Sequence, residues 1–61
     1  MSRMNNLLSQ IIDFEEGNLS HEEVLTLFQT LVDSGMIWEL QGTYIRYAMH
    51  LATQGEINFD N

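Results

Sequence analysis

No proline occurs among the 61 residues of this chain, so its only strong backbone punctuation is four glycines: Gly17, Gly35, Gly42 and Gly55. Glycine tolerates the left-handed conformation in which helices stop, and the stretches between these glycines carry helical periodicity. That pattern predicts an all-α domain of three helices. Helix 1 is expected over 3–16, helix 2 over 20–34 and helix 3 over 43–54, with helix 2 packed between the other two and 58–61 as a mobile tail.

Each segment supports the reading separately. Met4, Leu7, Leu8, Ile11, Ile12 and Phe14 share one side of a helical wheel, with Asn5, Asn6, Ser9, Gln10 and Asp13 opposite. Glu15 and Glu16 fall near the negative end of that helix, a mildly unfavourable placement. Helix 2 has the sharpest borders. Ser20 followed by Glu23 is a capping box, flanked by Leu19 and Val24 in the positions of a hydrophobic staple. Its apolar face comprises Val24, Leu25, Leu27, Phe28, Leu31 and Val32. Gly35 ends it, and Met36 is expected to fold back on Leu31 in a Schellman stop. Residues 36–42 are too few for an independent helix and predict a short irregular turn that plugs Trp38 or Leu40 into the core. Thr43 is the expected cap of helix 3, and Gly55 its stop.

The third helix is apolar over more than one face. Tyr44, Tyr47, Ala48 and Leu51 form one face, and Ile45, Met49 and Ala52 widen the arc to roughly 200° of the wheel. A single small core does not cover so wide an arc unless the helix is touched on both sides. A helix touched on both sides is the plainer reading; the sharper one, and the one favoured for function, is self-association through Ile45, Met49 and Ala52, making the chain a homo-oligomer.

Composition narrows the chemistry. There is no cysteine to form a disulfide or thiolate metal site, and a domain this short buries only roughly 60% of the surface its unfolded chain exposes. An apolar content of 44% is too high for a disordered acidic tail. No apolar run approaches the roughly 18 residues of a membrane span, and no signal-peptide pattern opens the chain, so no membrane contact is expected. Two basic against nine acidic residues give a formal charge of −7. Phosphate contact needs Lys and Arg, and only Arg3 and Arg46 are present, which argues against direct nucleic-acid binding.

Specific sites fare little better. A helix-turn-helix regulator built on helices 2 and 3 would read DNA with Arg46, His50, Thr53 and Gln54, but the charge and the long turn oppose it. Glu16-Gly17-Asn18-Leu19-Ser20 with Glu23 resembles the second half of a calcium loop, yet the first ligand positions fall on Ile12 and Phe14. Gln54-Gly55-Glu56-Ile57-Asn58 repeats the spacing, which suggests Leu19 and Ile57 as short extended neighbours. His21 and His50 lack a partner histidine at ligand spacing, so no metal, cofactor or catalytic constellation is expected. Asp13, Glu15, Glu16, Glu22 and Glu23 crowd around the first turn. They read first as a solubilising surface, and second as an acidic face docking on a basic host protein, including as an inhibitor that mimics DNA.

The residues Phe14-Glu15-Glu16-Gly17, Leu19-Ser20, Glu22-Glu23, Leu27-Phe28-Gln29, Leu31-Val32-Asp33-Ser34-Gly35, Trp38, Leu40-Gln41-Gly42 and Tyr44 together resemble a group of short tailed-bacteriophage proteins of similar length. That resemblance brings no activity with it. It implies a phage accessory protein in the cytoplasm of an infected bacterium, acting by protein–protein contact rather than catalysis.

Overall fold

The computed structural model describes residues 7–59. Among them are three α-helices, α1 (Leu7–Glu15), α2 (His21–Ser34) and α3 (Gly42–Thr53), with a 3₁₀ turn at Met36–Glu39 and no strand. Helix α2 packs against α1, the 3₁₀ turn and α3, so it is the central element. The part of helix 1 expected to carry Arg3 and Met4 lies outside the described residues.

The helix ends follow local hydrogen-bond chemistry. Both bonds of the capping box are present: the Glu23 amide donates to Ser20 Oγ at 3.2 Å, and the Ser20 amide donates to Glu23 Oε1 at 2.8 Å. Two helices end in full Schellman motifs. After α1 the Asn18 amide donates to the Asp13 carbonyl at 2.9 Å and the Gly17 amide to Phe14 at 3.0 Å. After α3 the Glu56 amide donates to Leu51 at 3.0 Å and the Gly55 amide to Ala52 at 2.9 Å. These bonds require the φ of 77° at Gly17 and 78° at Gly55. The repeated spacing of glycine to Leu19 and glycine to Ile57 is this stop motif used twice. Neither Leu19 nor Ile57 lies in a strand.

The end of α2 departs from expectation. Gly35 is left-handed and donates to Val32 at 3.1 Å, but Met36 does not close onto Leu31. The Ser34 hydroxyl stands between them, accepting from the Met36 amide at 3.3 Å and donating to the Leu31 carbonyl at 3.3 Å. The chain is thereby passed into the 3₁₀ turn. Helix α3 also starts one residue early, with Gln41 at the cap position and no side-chain capping bond, so Thr43 is not the cap.

The core is Val24, Leu27, Phe28 and Leu31 of α2, Ile37 of the turn, Tyr44, Ala48 and Leu51 of α3, and Ile57 beyond it. Phe28 is fully buried at the centre of an aromatic cluster, with ring centroids 5.1 Å from Phe14, 5.9 Å from Tyr44 and 5.0 Å from Tyr47. Helix α1 joins the core through Leu7, Ile11 and Phe14. The expected plug of the connection is corrected: Ile37 is fully buried, Leu40 is half-buried and Trp38 is 59% exposed. In a 3₁₀ turn successive side chains are about 120° apart, so a turn that aims Ile37 inward swings Trp38 out.

Candidate functional site

The exposed Trp38 belongs to a shallow groove of about 430 Å³, lined by Trp38, Met49, Ala52, Thr53 and Phe59. The helical spacing of Met49, Ala52 and Thr53 sets them on one face of α3. The turn places the indole beside them, its ring 5.6 Å from that of Phe59. Met49 is 54% exposed. Of the three residues expected to mediate self-association, Met49 and Ala52 line the groove. Ile45 does not; it is half-buried and packs against the core.

Residues 55–59 form a strap that closes one side of the groove. Asn58, expected from its terminal position to begin a mobile tail, is held at both backbone groups by one side chain. Gln29 Oε1 accepts from the Asn58 amide at 2.8 Å, and Gln29 Nε2 donates to the Asn58 carbonyl at 3.0 Å. The same Nε2 reaches Asp33 Oδ1 at 3.0 Å, which orients the carboxamide. Ile57 is buried before it, and Phe59 packs on Trp38 after it. Glu56 Oε1 lies 3.2 Å from His21 Nε2 at the start of α2. Asp60 and Asn61 lie outside the described residues. Neither Gln29 nor Phe59 stands out in the sequence, because a partner 29 positions away leaves no periodic signal.

The acidic residues divide by task. Asp13, Glu22 and Glu23 line an open cleft between α1 and α2 with Gln10, Leu19, Ser20 and Thr26. Glu23 is committed to the capping box, Glu16 accepts from Asn18 Nδ2 at 3.4 Å, and Glu15 accepts the Tyr44 hydroxyl. Three of the five carboxylates thus have structural partners within the chain. No group of three or more His, Asp or Glu among the described residues is arranged to hold a metal ion. His50 lies beside Tyr47, with ring centroids 6.5 Å apart. Arg46, exposed on α3, is the only Lys or Arg among the described residues.

Burial, with the Glu15 hydrogen bond and charge adding to it, pushes the Tyr44 hydroxyl from 10.0 up to about 12. Because the folded-state value is raised, this group's contribution to stability is complete below about pH 10 and is lost as pH climbs through about 12. A spectrophotometric titration should therefore show a tyrosinate step near pH 12 that Tyr44→Phe removes. The urea midpoint of the parent should fall across that window more than that of the variant. Ionisation of Tyr44 near its ordinary value would contradict its hydrogen bond to Glu15.

The fold and groove together define a small all-α domain that leaves an aromatic–thioether surface open on one side. By sequence the chain belongs to the DUF7417 family, a domain of unknown function matched over residues 1–61. No curated protein and no solved structure matches it.

Proposed function

We propose that this domain is a non-catalytic interaction module that self-associates through the groove of Trp38, Met49, Ala52 and Phe59. The observation that carries the proposal is the adjacency of Trp38 and Met49 in one groove, each more than half exposed. Exposed apolar surface of this kind marks contact sites, and Trp and Met are enriched in them. With the resemblance to short phage proteins, the setting we propose is a phage accessory protein in the cytoplasm of the infected cell. No helix among the described residues is long and apolar enough to cross a membrane. The alternative of an acidic inhibitor of a basic host protein draws less support, since Glu15, Glu16 and Glu23 are engaged within the chain.

The test is sedimentation equilibrium of the parent and of Trp38→Glu/Met49→Glu. The parent is expected above its monomer mass of 7.1 kDa, and the variant at that mass with native helicity by circular dichroism. Ile45 is left unchanged because a charge there would disturb the core. A parent that stays monomeric at millimolar concentration overturns the proposal, as does a variant of undiminished mass.

A further inference from the structure

We propose that a pocket between the end of α1 and the start of α3 receives an arginine side chain of a basic partner protein. The pocket has a volume of about 360 Å³ and shares no lining residue with the Trp38 groove. Phe14, Tyr44 and Tyr47 supply its aromatic wall, and the Glu15 carboxylate stands beside them. Phe14 is half-buried and Tyr47 is 37% exposed, so ring surface stays open to solvent above the fully buried Phe28. The Tyr44 hydroxyl donates to one oxygen of Glu15, which holds the acid at the rings. That hydroxyl, pushed up to about 12, is protonated at neutral pH and adds no charge of its own. Glu15 Oε1 accepts no hydrogen bond, and no Lys or Arg among the described residues pairs with the carboxylate.

A carboxylate beside aromatic rings selects a cation, because the ring quadrupole and the acid attract the same charge. Ring spacing then decides the kind of cation. Centroids are 5.1 Å apart for Phe14 and Phe28, 5.8 Å for Phe14 and Tyr44, and 5.7 Å for Phe14 and Tyr47. These are separations of rings in direct contact, roughly 4.5–7 Å, so no ion enters between them. A methylated ammonium, which needs rings on several sides, does not fit such a wall. A planar guanidinium lies flat on one outer ring face and directs its N–H groups in its own plane toward a carboxylate. A lysine ammonium is a compact, strongly hydrated charge and gains less from the ring. The formal charge of −7 on the whole chain draws a basic protein toward the pocket.

The probe is N-acetyl-L-arginine amide, titrated into isotope-labelled protein at constant ionic strength and followed by NMR. The backbone amide signals of Phe14, Glu15 and Tyr47 should move, and the probe's δ-methylene protons should shift upfield under the rings. The lysine counterpart of the probe should bind about fivefold more weakly. Glu15→Gln keeps an acceptor for the Tyr44 hydroxyl while removing the charge, and should weaken arginine binding at least about fivefold. Glu39→Gln removes the same charge from the 3₁₀ turn, outside the pocket, and should leave binding within about twofold of the parent. The arginine–lysine comparison is made on the parent, so the proposal is tested even if a variant folds poorly. Equal binding of the two probes, or an equal loss in the two variants, reduces the effect to net charge and overturns the proposal. Shifts centred on Trp38 and Met49 overturn it as well. If the pocket amides move with protein concentration alone, and cease to in Arg46→Ala, the occupant is a second copy and the separate partner is overturned.

Discussion

Phe28→Ala should leave the chain largely unfolded at 25 °C. Phe28 is the fully buried ring of an aromatic cluster that joins all three helices, meeting Phe14 of α1 and both Tyr44 and Tyr47 of α3. Truncating a buried phenylalanine costs about 3–5 kcal/mol in transfer free energy and residual cavity. Its aromatic pairs add to that loss. A domain of this length commands only about 3–9 kcal/mol in total, at roughly 0.05–0.15 kcal/mol per residue. The loss is thus comparable with the whole stability. Far-UV circular dichroism with urea titration is the measurement, and a destabilisation below about 1 kcal/mol would place the centre of the core elsewhere.

The second large effect is a contrast between neighbours. Ile37→Ala should cost about 2–5 kcal/mol, whereas Trp38→Ala should change monomer stability by less than about 1 kcal/mol. Ile37 is fully buried against α2 and α3, while the indole is mostly in solvent and meets the strap through Phe59. The ordering reverses the expectation from residue size. Because Trp38→Ala removes the only tryptophan, the melts must be followed by circular dichroism. They must also be run dilute, so that lost association does not pass for lost stability. A Trp38→Ala chain destabilised as much as Ile37→Ala would mean the turn is rotated by one residue from the arrangement described.

Much of the fold is legible in the amino-acid sequence, and the legible parts share a cause. The capping box at Ser20 and Glu23, and the stops at Gly17 and Gly55, are closed by hydrogen bonds between residues at most five apart. Such bonds need nothing beyond their own segment, so residue identity and spacing suffice to place them. The apolar faces of α2 and α3 are equally readable, since a 3.6-residue period is a property of one helix alone. Even the departure at Ser34 is local: a serine followed by glycine offers a hydroxyl that can replace a backbone bond. No periodic argument ranks that option above the full stop motif.

The candidate groove is only half legible. Met49 and Ala52 follow from the width of the apolar arc on α3, while Ile45, on the same arc, does not line the groove, because the arc does not say where the covering elements end. Phe59, Gln29 and the Glu15–Tyr44 hydrogen bond join positions far apart in the chain. Trp38 shows the limit most plainly. Over the four residues of a 3₁₀ turn there is no repeat from which to read a phase, so composition nominates the largest side chain for the core. The direction of that turn depends on how Ser34 and Gly35 hand the chain off and on which residue fits between α2 and α3. Helix borders and faces are thus written in local chemistry. The core plug, the strap and the open groove come from packing, because they depend on where separate elements meet.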